Sequence, residues 1–267
     1  MITSTSNPRI KEARKLQQKR HRDATRRLLL EGVRLIDDAF QSGVRPDPLF
    51  FAPDLVRGNR SAAQLLRRLE SATVECIPCA PHVVATLAEA MTPQGLVAVA
   101  PWPALALPSI PTLTLLLDQV REPGNAGALV RAAEAAGVEQ VIFGPGTVDP
   151  FNDKVLRAAM GAHFRLPLVA CADWECVVRR LPPGQPLYLA DGHATLHYDQ
   201  VDWRQPSVLA VGSEASGATA AVRALATPVA IPMCGRTESL NAAIAGAVIL
   251  FEAARQRRGI DSRKASG

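Results

Sequence analysis

Aromatic residues are scarce in this chain: three Trp, two Tyr and seven Phe amount to 4% of 267 residues. A sheet that reads nucleic acid by stacking bases on rings needs more, so recognition of that kind is disfavoured. Long apolar runs are missing too. The longest uncharged one, Leu240–Phe251, is too short to span a bilayer and reads as a buried helix. Met1–Arg9 contains no apolar h-region, so no secretory signal is expected and no membrane partner. The cysteines are five, an odd number: Cys76, Cys79, Cys171, Cys176 and Cys234. Without a signal they are expected to be reduced thiols in a cytoplasm rather than a disulfide framework, with Cys171 and Cys176 as small buried residues. No metal is expected. Cys76-Ile-Pro-Cys79 lacks a second ligand pair, and His193 and His197 follow an Asp191-Gly192 turn. No G-x-G-x-x-G follows a strand, which argues against a nucleotide-dependent oxidoreductase.

What is present begins with an apolar fraction of 48%, enough for a sizeable core. The formal charge of +5 is modest but unevenly placed. Lys11, Arg14, Lys15, Lys19, Arg20, Arg22 and Arg26 face only Glu12 and Asp23 in the same stretch. Such a stretch attracts a phosphate backbone, and equally suits a solvated helix face.

The segment 101–111 carries four prolines and no charge, and is expected to be a semi-rigid linker. Before it, residues 1–100 alternate between helix and strand: a basic helix near Asn7–Arg22, a strand-to-helix unit at Leu28–Gln41, and strands at Leu49–Ala52, Thr73–Ile77 and Gly95–Ala100. After it, Thr112–Leu117 reads as a buried parallel strand ending in Asp118. Further strands are expected at Gln140–Phe143, Leu187–Ala190, Ser207–Val211 and Pro228–Ile231. Helices are expected at Ala126–Ala136, Asn152–Ala159, Asp173–Leu181 and Leu240–Arg258. The whole is an α/β chain whose second domain, 112–260, holds a parallel sheet, followed by a disordered tail at 261–267.

Three segments fall where parallel strands end, the usual place for ligands. The first, Asp118–Arg131, puts Asn125 at an expected helix N-cap and Arg131 further along. The second, Leu209–Gly217, brings Gly212 and Glu214 to a strand end. The third, Ile231–Asn241, is a polar loop between a buried strand and a buried helix, with Ser239 as a candidate cap. Each alone is read as readily as a cap or a turn.

Together, in this order and spacing, the three segments resemble the motifs of the SpoU (TrmH) family of RNA ribose 2′-O-methyltransferases, part of the SPOUT class. The likeness spans Thr112–Arg258 and includes Asp149–Gly161; residues 1–100 resemble the ribosomal-protein-like (L30e-like) substrate-binding domain that many members carry. Departures are small: Ser213 where asparagine is common, Ala218 where leucine is, and no second serine near Ala243. The resemblance implies S-adenosyl-L-methionine as cofactor, a C-terminal trefoil knot and a homodimer. It implies catalytic roles for Asn125, Arg131, Glu214, Ser239 and Asn241, and cofactor binding at Gly212, Ile231, Met233 and Leu240. A guanidinium is a poor base, so Arg131 is expected to orient an RNA phosphate and stabilise the developing alkoxide. Ribosomal RNA, 23S in particular, is the favoured substrate. A tRNA enzyme on the same fold, or a non-catalytic RNA-binding protein, is the alternative; the second would have no reason to keep all five polar motif residues.

Overall fold

The computed structural model describes residues 1–89 and 94–264, with side chains as far as Arg258. It divides into two units, Met1–Ala104 with Phe151–Phe164, and Leu105–Pro150 with Arg165–Gly267.

The first unit begins with α1 (Pro8–Lys15), α2 (Lys19–Thr25), β1 (Arg27–Glu31), α3 (Val33–Gln41) and β2 (Leu49–Phe51). It continues through α4 (Pro53–Arg57), α5 (Arg60–Ser71), β3 (Cys76–Pro78), α6 (Pro81–Ala85) and β4 (Leu96–Pro101). The single basic helix expected at Asn7–Arg22 is in fact two. Asn7 caps α1 through a 2.9 Å bond from the Arg9 amide, with Pro8 in the first helical position. The break follows Leu16, where the buried Arg22 guanidinium donates to the Leu16 and Gln17 carbonyls at 2.9 and 2.8 Å. The sheet order is β1-β4-β2-β3, antiparallel except for β2 with β3. Strand β4 is buried on both faces, and the two-residue period of a strand divides it between two cores. Leu96, Ala98 and Ala100 pack with α3 and α5, while Val97 and Val99 pack with α1 and α6.

The chain then runs through β5 (Leu113–Asp118), α7 (Pro123–Ala135), β6 (Gln140–Phe143), α8 (Asp153–Ala159), β7 (Leu168–Ala170) and α9 (Trp174–Arg180). It ends with β8 (Leu187–Ala190), β9 (Ser207–Gly212), α10 (Ala220–Leu225), β10 (Thr227–Val229) and α11 (Ala242–Lys264). Although α8 lies between two strands of the second unit, it belongs to the first. Phe151, Leu156 and Phe164 join the core under α3 and α5, Trp102 stacks on Phe151 at 4.2 Å, and Arg157 reaches Glu31 at 3.3 Å. Its place in the sequence groups this segment with residues 112–260; apolar pattern shows that a helix is buried, not which sheet it is buried against.

The second unit is an all-parallel six-stranded sheet of order β10-β8-β9-β5-β6-β7. Its central strands β5 and β9 are buried along their whole length, as strands covered on both faces must be. From β5 the chain first winds outward through β6 and β7, then fills the other side with β8, β9 and β10. Its winding therefore reverses between β5 and β9, and a crevice opens at their carboxyl ends. Strand β7 and helices α4 and α10, three to six residues long, were too short to show a period in the sequence. Helix α11 continues to Lys264, past the point where a disordered tail was expected; residues 265–267 lie outside those described.

A further expectation is overturned at the cysteines. Cys171 and Cys176 are not separate thiols but a disulfide, with Cα atoms 5.4 Å apart. The Asp173 side chain accepts from the Cys176 amide at 2.8 Å and starts α9, turning the chain so that residues five apart meet. Cys76, Cys79 and Cys234 remain free.

Candidate active site

Helix α7 starts three residues earlier than its sequence suggests. Glu122, not Asn125, is the N-cap, accepting from the Gly124 amide at 3.4 Å, and Pro123 takes the first helical position. Asn125 is therefore a helix residue with a side chain free of capping. It donates from Nδ2 to Glu214 Oε1 at 2.8 Å.

Glu214 sits on a turn that the sequence builds with two glycines. The Ser213 amide donates to the Gly217 carbonyl at 3.0 Å and the Gly217 amide returns a bond at 2.9 Å. Gly217 has φ of +67°, and a Cβ at Gly212 would lie 2.7 Å from the Ala218 nitrogen. Only glycine at 212 lets the turn fold back this far over the end of β9.

Asn241 completes the group. Its Oδ1 accepts from the Ala243 and Ile244 amides at 3.0 and 3.2 Å, so Asn241, rather than Ser239, caps α11. Its Nδ2 donates to Asn125 Oδ1 at 3.0 Å and also to Glu214 Oε1, which accepts the Ala242 amide at 3.2 Å as well. A carboxylate at a helix N-terminus is favourably placed against the helix dipole. Asn125, Glu214 and Asn241, one from each segment, are thus a single hydrogen-bonded cluster.

Beside the cluster lies a cavity of about 330 Å³ lined by Gly212, Glu214, Ile231, Met233, Ser239, Leu240 and Asn241. All four residues expected to bind a cofactor are there. Two further acids line it that the sequence reading missed, Asp191 and Glu238. Asp191 follows β8 and accepts from the His193 amide at 3.1 Å and from Arg223 at 2.8 Å; these bonds hold its carboxyl below the usual carboxylate range. Its position just past a buried strand was the available signal. The lining counts three carboxylates and, among the described residues, no lysine or arginine.

Arg131 is not part of this group. It stands exposed on α7, with no hydrogen bond or ion pair among the described residues. Six residues beyond Asn125, it lies nearly two turns along the helix and about 120° around it. Ser239 lines the cavity, exposed.

The chain is similar to known proteins along nearly its whole length. Residues 112–251 match the SpoU rRNA methylase family model, and residues 7–98 match an MRM3-like substrate-binding domain. The 23S rRNA (guanosine(2553)-2′-O)-methyltransferase RlmP of Bacillus subtilis is 31% identical over 94% of this chain and 97% of its own. The 23S rRNA (uridine(2479)-2′-O)-methyltransferase of Streptomyces viridochromogenes is 34% identical over 86% of this chain and 83% of its own. The crystal structure of AviRb from Streptomyces viridochromogenes in complex with AdoMet, a SpoU methyltransferase, superposes with a TM-score of 0.82 at 31% identity, covering 94% of this chain and 98% of that one. With the family model spanning 112–251 and the fold shared along nearly the whole chain, the protein belongs to the SpoU rRNA methylase family.

Proposed function

We propose that this protein transfers a methyl group from S-adenosyl-L-methionine to a ribose 2′-hydroxyl of ribosomal RNA, with large-subunit RNA as the substrate. The observation that carries it is the convergence of Asn125, Glu214 and Asn241 beside the cavity at the β5–β9 switch point.

The cavity fits the cofactor. Apolar Ile231, Met233 and Leu240 suit an adenine, and a lining with acids and no cation suits a ligand carrying a sulfonium and an ammonium. When bound, that group supplies an electrophilic methyl. The protein's part is alignment and charge. Glu214 holds Asn125 and Asn241 against one another and thereby sets α7 against the start of α11. Ser239 is left free at the cavity wall to meet the ligand or the ribose. Arg131, unpaired and outward, takes an RNA phosphate and stabilises negative charge on the attacking oxygen.

The finer features of the family apply by the same reading. Helix α11 returns from edge strand β10 to pack on α7 and β9, which supports a trefoil path for the last strands and helix. Its outer side leaves Ile244 and Phe251 exposed at 54% and 47%. The stretch Ala242–Phe251 is apolar all round, the pattern of a buried segment, and a second copy of this chain is the cover that a homodimer supplies. The first unit, an L30e-like RNA-binding domain on this reading, grips the substrate. The place of action is the cytoplasm, where ribosomes are; no helix among the described residues is long and apolar enough to cross a membrane.

The test is a map of 2′-O-methyl positions on ribosomal RNA from cells with and without the gene. One position should lose its methyl with the gene and regain it on incubation with the purified protein. An unchanged ribosomal map beside a changed transfer-RNA map would move the substrate to tRNA.

A further inference from the structure

Asp118 closes β5 with its backbone opposite Gly212 and its side chain 0% exposed. Its Oδ2 accepts from the Thr219 amide at 2.6 Å, and its Oδ1 is buried with no hydrogen-bond partner among the described residues. An internal carboxylate with an unpaired oxygen lowers stability relative to an apolar side chain of similar volume, so stability does not explain it. Nor does capping: the N-cap of α10 is the hydroxyl of Thr219, which accepts from the Val222 amide. The Asp118 bond is to the amide of Thr219 itself, the point at which the turn carrying Glu214 leaves for α10. That turn enters at Gly212, Asp118's neighbour in the sheet. One residue of β5 therefore holds both ends of the turn.

We propose that Asp118 is a positioning residue for methyl transfer: by tying Thr219 to the end of β5 it sets where Glu214 meets Asn125 and Asn241. This rests on the reading of that cluster as the methyl-transfer site. Among the described residues, the turn's backbone is otherwise held through Ser213 and Gly217 and, at its far side, by Arg223 Nε on the Ala218 carbonyl at 3.2 Å; its remaining ties to other elements are those of the Glu214 side chain itself. Without the Asp118 bond the turn could keep its internal shape and still ride up from the sheet, carrying Glu214 away from its two partners.

The bond can be cut from either side. Asp118→Ala removes the acceptor. Thr219→Pro removes the donor, and Thr219 already has the φ of −67° that proline imposes. Asp118→Asn keeps an acceptor oxygen and serves as the conservative rescue. Single-turnover methyl transfer into unmodified ribosomal RNA, at saturating cofactor, is measured for each, alone and combined with Glu214→Ala; thermal unfolding verifies that each is folded. Asp118→Ala and Thr219→Pro should each slow transfer about tenfold or more, Asp118→Asn should stay within about threefold of the parent, and neither cut should slow Glu214→Ala further. Losses that multiply with that of Glu214→Ala, or full transfer by both cut variants, overturn the proposal. Glu214→Ala transferring at the parental rate would instead remove the reading of the cluster, and the proposal with it.

Discussion

Arg131 stands apart from the cluster that its motif suggests it should join, and this separation assigns its role. Asn125 and Asn241 are engaged with Glu214, whereas the Arg131 guanidinium has no protein partner among the described residues and lies on another face of α7. A forked cation left free on the helix surface suits a phosphate, and its planar geometry is what lysine cannot reproduce. Arg131→Lys should keep RNA affinity and lose most turnover; methylation at the parental rate would refute the assignment. Gly212 matters for the opposite reason, a side chain it must not have. A Cβ there meets backbone at 2.7 Å, so Gly212→Ala must push the Glu214 turn off β9. It should cost about 1–3 kcal/mol of stability and weaken S-adenosylhomocysteine binding, read by thermal unfolding and calorimetry. The need for glycine at 212 could be suspected from the sequence, since it follows a buried strand. The link from Glu214 to Asn125 could not, because nothing local relates two residues on separate strand ends.

At the scale of elements, the loop from β10 to α11 forms one wall of the cavity. Met233 and Glu238 line it, and Cys234 between them is exposed. Cys76 and Cys79 are shielded differently: burial raises both thiols, Cys76 to about 11, so at pH 8 they stay protonated and react slowly. Mild alkylation should therefore label Cys234 first, and S-adenosylhomocysteine should slow it; labelling indifferent to the ligand would place the loop outside the cofactor site. Helices α1 and α2 give a second element-level result. Their basic run is less available than composition implies, since Arg22 is buried against α1, Lys15 and Lys19 pair with Glu12 and Asp23 at 2.7 and 2.9 Å, and Arg26 lies over Trp102 at 4.5 Å. Lys11, Arg14 and Arg20 remain exposed and, among the described residues, unpaired. Replacing these three by alanine should weaken RNA binding and flatten its log–log salt slope by roughly 2–3, measured by filter binding across a salt series. Removing the whole segment would be a poor test, because Ile10, Ala13 and Leu16 belong to the core.

For the whole molecule, the exposed apolar stripe of α11 makes assembly the first question. Ile244→Glu with Phe251→Glu should convert a dimer into a folded monomer in sedimentation velocity; an unchanged sedimentation coefficient would put any dimer contact elsewhere. The sequence by itself determined most of the longer elements and, through its motifs, the family. Short apolar runs bounded by polar segments specified β5, β6, β8 and β9 almost to the residue, and the order and spacing of three polar segments specified the family, because apolar runs and motif spacing are local properties of the chain. Only the tertiary structure decided which residues meet. It assigned α8 to the first unit, paired Cys171 with Cys176, moved the caps of α7 and α11 to Glu122 and Asn241, and drew Asp118 and Asp191 into the site's surroundings. Each of these depends on contacts between segments distant in sequence or on a turn closed by a single hydrogen bond, and hydrophobic periodicity carries no record of either.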